Sequence, residues 1–581
     1  MNVTTSDSVS DTDWSGLQHL VNLEIMIIHD SNCLRSLPDG IRGLRHLKKL
    51  EITKCRSFVM LPSCIGDLAN LEELIVYKCG RLATLTESMQ RLVHLQKLVI
   101  TSDADGKDLF FVHSTRKHSN IVEITEPHSV GGSISSIVLL QRISRVTSSN
   151  LSIFSLENVS SPEEAAKADI AKISNLRALR LHWSVNSDCA VEGPKVQDEA
   201  VLANLQPPRG LVVLDIDGYR GSVFRGWLSD ASTLPCIREI TLSSLSRCRH
   251  LPLLGLLPNL ELLQIAGMPE LTKVAGQPFK KLRELVLARF ENLEEWSTEI
   301  SSDDGQVMDI PMFPNLEYLE IKSCHELRFS PSFPASKKYL IHNSNKVLSF
   351  QGVLGISPTS SSEMEIHNCH FSPDDLRGFQ YLSNLEELTI SNCSALTTSP
   401  GSIKGLHSLK KLHVLECQDF ATLPGCFGTL SSLQELTISK CSTLTTLPES
   451  IAGLHSLKKL HVFRCHNFTT LPECFGHLSS LQEVRIDSSA KLASLPESLR
   501  CTTCLVDLIF WCDDELERQY RSGIDSHKFA HIKNVKINGA GTSEHAKPEP
   551  KMLVLPEKPA VMISDTDTIG DPFKDTSVHT Q

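Results

Sequence analysis

The chain has 581 residues, 41% of them hydrophobic, and a net charge of −11. That length allows several ordinary domains with ample apolar material for a core, and the acidic balance argues against nucleic-acid partners, whose docking surfaces are basic. No run of 18 apolar residues occurs, so no membrane span is expected, and the opening MNVTTSDSVSDTDW lacks the basic start and apolar stretch of a secretory signal.

From Leu20 to Ile100 apolar residues recur every 24 positions, and they do so again from Leu382 to Leu499, in the pattern LxxLxxLxIxxCxxLxxLPxxIxx. A repeat of about 20–29 residues with this leucine spacing contributes one strand per unit to a stacked array. One strand cannot bury its apolar face alone, so neighbouring units share a continuous core. The expected fold is an α/β leucine-rich-repeat solenoid, a horseshoe. Its parallel β-sheet lines the concave face, with short helices, 3-10 turns and loops on the convex face.

Residues 1–100 read as regular repeats. At TSDADGKDLFF the register is lost, and residues 101–150 read as an irregular joint, open to early proteolysis. Residues 151–348 read as irregular repeats with loops. They open on a strand-like NLSIFSLENV and on SSPEEAAKADIAKI, whose serines, Pro162 and early acids are helix-start signals. An acidic loop, STEISSDDGQVMD, interrupts them. Residues 349–380 read as a loop insertion around GISPTSSSE, and residues 381–538 as regular repeats with a C-terminal cap. The remainder, 539–581, is polar and proline-bearing (GAGTSEHAKPEPK) and is expected to be disordered.

Within the regular stretch, residues 406–428 (LHSLKKLHVLECQDFATLPGCFG) return at 454 as LHSLKKLHVFRCHNFTTLPECFG, with 17 of 23 positions unchanged. The differences are Leu415/Phe463, Glu416/Arg464, Gln418/His466, Asp419/Asn467, Ala421/Thr469 and Gly425/Glu473. All fall outside the core positions: in KKLHVLE, Leu412 and Val414 point inward while Lys411, His413 and Leu415 point out, because strand side chains alternate. The framework is kept and the contact surface varies.

Cys55, Cys79, Cys324, Cys369, Cys393, Cys417, Cys441 and Cys465 each stand three residues after a strand's second inward residue. There a thiol packs as a small hydrophobe and donates weakly to loop carbonyls. A ladder of equivalent positions has no pairing rule, so reduced cysteines and a reducing compartment are expected. CTTC at Cys501–Cys504 has no second ligand pair nearby, and a zinc or redox role is not read from it. No cofactor, metal site or enzyme constellation is read from the sequence.

On the outward face one column alternates in charge: Glu387, Lys411, Glu435, Lys459, Glu483, with Lys49, Glu73 and Lys97 in the early units. Cross-strand pairs of this kind fix register. The histidines of the next column, His413 and His461, read as exposed surface side chains. Aromatic and arginine residues anchor interfaces, so the candidate partner-binding residues of the concave face are Tyr77, His413, Leu415, Glu416, His461, Phe463, Arg464 and Arg485.

The CxxLxxLP repeat resembles the leucine-rich regions of intracellular plant disease-resistance proteins of the nucleotide-binding (NB-ARC) class. So do LENVSSPEEAAKADIAKISNLRALRLHWS, VLANLQPPRGLVVLDIDGYRGSVFRGWL, LPLLGLLPNLELLQI and DELERQYRSGIDSHKFAHIKNVKI, between residues 150 and 537. The resemblance implies a cytoplasmic recognition module of plant innate immunity. It would sense a pathogen effector or a modified host target protein and regulate a nucleotide-binding domain in cis or in trans. The phosphate-binding GxxxxGK[ST] of that domain is absent; DADGKDL lacks its upstream glycine and its Ser/Thr. In this family the LENV-like block usually opens the repeat region, whereas here four tidy units precede it. The alternative reading is a ubiquitin-ligase substrate receptor, for which an F-box-like helical segment would precede the repeats; none is found.

Overall fold

The computed structural model describes residues 2–4, 16–100, 121–125, 149–183, 195–275, 278–349, 362–419, 421–487 and 492–539, apart from short stretches within them. Among the described residues, 22 strands form one sheet. In the regular units each strand pairs in parallel with the one 24 residues on, as Leu412 with Leu436 and Leu436 with Leu460. Alternation does what the pattern requires. In Glu435–Ser439, Leu436 and Ile438 are buried while Glu435, Thr437 and Ser439 face out half-covered. The inward residues stack unit upon unit into one core that runs the length of the array.

The corner after each strand is made by one residue in the left-handed region. Glu416, Lys440 and Arg464 have φ of 58°, 57° and 51°, and the same turn recurs at Asp30, Lys54, Arg289, Asn343, Asn368 and Asn392. A left-handed non-glycine residue costs about 1–2 kcal/mol. Two contacts offset that cost. The residue's N–H extends the sheet ladder by one rung, as Glu416 N donates to Ser439 O at 2.8 Å and Lys440 N to Phe463 O at 2.9 Å. The turn also throws the following cysteine inward: Cys417, Cys441 and Cys465 are at most 1% exposed. Their thiols donate back to the strand, Cys417 to Leu415 O at 3.4 Å and Cys441 to Ser439 O at 3.5 Å. All eight cysteines of the column are free and buried.

The convex face consists of short 3-10 turns. Proline opens them. Pro424 precedes the turn Gly425–Thr429, Pro448 the turn Glu449–Gly453 and Pro472 the turn Glu473–His477. Each proline carbonyl accepts from the N–H three residues on, as from Ile451 at 3.1 Å. The turns stack closely: a Cβ on Gly428 would strike the carbonyl oxygen of Ser450.

The helix signalled by SSPEEAAKADIAKI spans Pro162–Lys167 and is capped by Ser161, whose side chain accepts from Glu164 N. A second helix, Lys195–Asn204, was not foreseen. A strand at Asn2–Thr4 pairs with Ile25–His29, ahead of the predicted repeats. Three short strands, Lys273–Val274, Glu295–Ser297 and Arg328–Ser330, make a second parallel sheet in the irregular units.

Of the expected joint, Ile121–Thr125 pairs with both Lys97–Ile100 and Asn150–Phe154; residues 101–120 and 126–148 lie outside the described ones, as do 540–581. Within the stretch read as a loop insertion, Ser362–His367 is a sheet strand joining Lys338–His342 to Leu385–Ser391. Its inward Met364 and Ile366, followed by Cys369, carry the ordinary unit.

Candidate protein-binding face

Register sets the outward columns. Glu387, Lys411, Glu435, Lys459 and Glu483 are successive cross-strand partners, and Lys411 Nζ lies 3.0 Å from Glu387. In the early units Lys49 bridges Glu51 at 3.0 Å and Glu73 at 3.7 Å. In the charge column, Lys411–Glu387 and Lys49–Glu73 tie neighbouring strands, while Lys49–Glu51 lies within one strand.

The next column departs from expectation. His413 is 7% exposed, not a surface side chain. Strand alternation turns it outward, but its neighbours close over it; its Nε2 lies 3.7 Å from Glu387. Burial lowers its pKa, partly opposed by the carboxylates of Glu387 and Glu435. His461 is half-buried, 3.5 Å from Glu483, and burial lowers its pKa too. Arg485 forms an ion pair with Glu483 on its own strand.

Leu415 and Phe463, half-buried, end their strands, and the Phe463 ring stands 5.6 Å from that of His461. Glu416 and Arg464 occupy the left-handed corners beside them. Glu416 is tied to Lys440 at 2.6 Å, while Arg464 is exposed. Seven of the eight candidates therefore lie within four adjacent units: five on the strands Lys411–Leu415, Lys459–Phe463 and Glu483–Asp487, and Glu416 and Arg464 at the corners that follow two of them. Tyr77 ends the strand Glu73–Tyr77, far along the sheet, and is not brought to them.

Sequence reasoning missed Ile509 and Trp511 of the strand Asp507–Cys512, which extend both columns in register. Counting 24 residues on from Arg485 and Asp487 would have found them. In the segment from Tyr219 to Trp227 both terminal aromatics are buried, while Arg220, Ser222, Arg225 and Gly226 are exposed. Tyr219 is fully buried; its hydroxyl donates to Val223 O at 2.8 Å and its ring meets Trp183 edge-on. Trp227 Nε1 donates to Leu202 O. Burial pushes the Glu199 carboxyl up, but donation from Arg225 Nε, Ser222 N and Ser222 Oγ outweighs it and holds the group below its ordinary range. This segment locks the helix Lys195–Asn204 to the sheet.

Asp217 accepts from Ser243 Oγ at 2.6 Å and lies 2.9 Å from His182 Nδ1. The carboxylate sits between serine and histidine, so the imidazole cannot take the serine proton, and no nucleophile is activated. Among the described residues, no group of three or more His, Cys, Asp or Glu is placed to hold a metal ion, and no helix is long and apolar enough to cross a membrane.

Residues 137–268 match the family model described as R13L1/DRL21 LRRs, and residues 366–559 match that of a leucine-rich repeat region. The putative disease resistance RPP13-like protein 1 of Arabidopsis thaliana is 29% identical over 308 residues, 47% of this chain and 27% of that protein. The disease resistance protein RGA2 of Solanum bulbocastanum is 27% identical over 267 residues, 44% of this chain and 24% of its own length. A leucine-rich-repeat protein of Leptospira interrogans, of known structure, aligns over 92% of this chain and 100% of its own with a TM-score of 0.35 and 17% identity. The matched part thus spans about a quarter of the length of the curated plant relatives. With the sheet, the cysteine corners and these two family matches, the chain is a leucine-rich-repeat solenoid, similar to the leucine-rich-repeat regions of plant disease-resistance proteins.

Proposed function

We propose that this chain recognises a protein, either a pathogen effector or a host protein that an effector has modified. The contact face is the concave surface between the strands Lys411–Leu415 and Glu483–Asp487. In doing so it governs a nucleotide-binding module held in cis or in trans, in the cytoplasm. It acts by binding rather than by catalysis. One observation carries the reading: in the near-identical pair of segments, both differing residues at the strand ends, Leu415/Phe463 and Glu416/Arg464, lie on this face, while every inward residue is kept. Residues fixed by the core cannot discriminate partners without unfolding the unit, so specificity belongs to the outward positions. His461 and Arg485 form the polar floor, and Leu415, Phe463, Glu416 and Arg464 the rim; the covered His413 offers a partner no surface. Tyr77 would serve a separate contact.

The test is a pair of variants. Phe463→Ala with Arg464→Ala removes an aromatic and a charge but no inward side chain, so the melting temperature should shift by no more than about 0.5 kcal/mol implies. Partner affinity, or immune output from a full receptor carrying these repeats, should fall roughly thirtyfold if Phe463 is a hot spot. Leu460→Ala should instead destabilise by about 2–5 kcal/mol, since Leu460 is fully buried. A double variant that binds and signals like the parent places recognition elsewhere.

A further inference from the structure

The column that ends the strands alternates in character. In register it reads Ser391, Leu415, Ser439, Phe463, Asp487. The pairing of Ile486 with Phe510 then sets Trp511 beside Asp487, and Asn538 lies on the far side of Trp511. Leu415, Phe463 and Trp511, all half-buried, thus stand on every second strand, with shorter polar residues between them. The gap between two of them is two strands wide, about 9.6 Å at the backbone, and narrower at tips that converge on a concave surface.

The two gaps differ in what stands inside them. Ser439, between Leu415 and Phe463, brings a neutral hydroxyl. Asp487, between Phe463 and Trp511, brings a carboxylate with an aromatic ring on each side. Asp217 occupies the same position on its own strand, but His182 and Ser243 flank it there and both bind it.

A carboxylate between two rings suits one kind of visitor. The faces of aromatic rings are negative and attract cations, and the carboxylate supplies the counter-charge. A flat cation stacked on both rings needs van der Waals contact on each side, about 7–8 Å from ring to ring. Neighbouring strands, about 4.8 Å apart, leave no such room, and alternate strands do. The guanidinium of arginine is planar, stacks on aromatic faces and presents two parallel donors to a carboxylate, whereas the ammonium of lysine has neither the plane nor the fork. A carboxylate accepts at about four lone-pair positions, so Asp487 can take this visitor beside contacts of its own. The ring of His461, 5.6 Å from that of Phe463, supports one wall from the same strand.

We propose that this slot takes an arginine side chain of the recognised protein, its guanidinium stacked between Phe463 and Trp511 and paired with Asp487. The proposal rests on the recognition reading for the role of this face, and it adds the chemistry of the partner: a protein that presents an arginine at the centre of its contact patch.

The probe is N-acetyl-arginine methylamide, titrated onto the full chain isotope-labelled in its tryptophan indoles; the Trp511 signal is the one that Trp511→Phe removes. That signal should shift and saturate with the arginine probe and stay in place with its uncharged citrulline analogue. Asp487→Asn and Phe463→Leu, each checked for an unchanged melting temperature, should weaken the probe by roughly two- to fivefold. Arg464→Ala, which removes a neighbouring cation, should not weaken it. An equal shift with the citrulline analogue, or an affinity that neither Asp487→Asn nor Phe463→Leu lowers, overturns the slot. Equal affinity for the lysine analogue overturns the choice of arginine. The titration contains no partner protein, so its failure leaves the partner-binding test of Phe463 and Arg464 standing, and failure of that test leaves this one standing.

Discussion

His413 combines an outward position with a buried side chain, and its chemistry follows from that conflict. Burial lowers its pKa, although Glu387 and Glu435 favour its charged form. In the unfolded chain the imidazole titrates near its ordinary value, about 6.5. Below that pH the unfolded state binds more protons than the folded one, so stability is full above it and declines as pH falls toward the depressed folded pKa. His461 acts in the same sense. His413→Gln, which cannot titrate, should therefore lessen the drop in melting temperature between roughly pH 7.5 and 5.5; an unchanged drop would show that His413 does not contribute. Alternation in the sequence correctly marked this residue as outward. What covers it is the packing of side chains from the flanking strands, which no single strand's pattern records.

At the scale of the unit, three parts differ in how readable they are. The strand is announced by Leu412 and Val414 at a spacing of two. The cysteine is announced by its fixed distance from the strand. The corner between them is not, because Glu416, Lys440 and Arg464 carry no conformational signature of their own; the ladder bond and the inward thiol impose the left-handed turn. The convex turns were read only through their prolines and apolar residues, and their glycines were passed over. Gly428 is the sharper case, since stacking against Ser450 leaves no room for a methyl group. Gly428→Ala should cost about 1–3 kcal/mol through displaced backbone, visible as a lower midpoint in urea at unchanged slope. Full wild-type stability would mean that the turns separate freely. The helix Lys195–Asn204 was missed because it is short; its buried Val201 and Leu202, with Leu205 beyond, give too few turns for a helical period to register.

Across the whole molecule the cysteines divide by place. Burial pushes the column thiols of Cys324 and Cys417 up, to about 12 and about 11, while hydrogen bonds with neighbouring column thiols pull Cys55, Cys369 and Cys465 down; burial keeps a reagent from all of them. Cys33, Cys236, Cys501 and Cys504 are exposed. A thiol reagent at neutral pH should modify these four quickly and leave the corner column unmodified until the chain unfolds. In denaturant without reductant, nearly all 18 cysteines should then react. Several missing thiols would mean disulfides and a different compartment.

The framework repeats with every strand, but the outward face repeats with every second one, so the solenoid has a parity. Odd and even units are interchangeable to the core and opposite to a visitor. Excising residues 430–453 removes one unit and leaves Leu412 beside Leu460 and Cys417 beside Cys465, a sound interior. It also sets Lys411 against Lys459, a like-charge contact worth roughly 0.2–1 kcal/mol, and brings Leu415 up against Phe463. Excising 430–477 removes two units and restores opposition, Lys411 facing Glu483. The smaller deletion should therefore lower the melting temperature more, per unit removed, than the larger. A solenoid built this way can lengthen or shorten its outward face by pairs of units with its charge pattern intact, and a change by one unit puts everything beyond the junction out of phase.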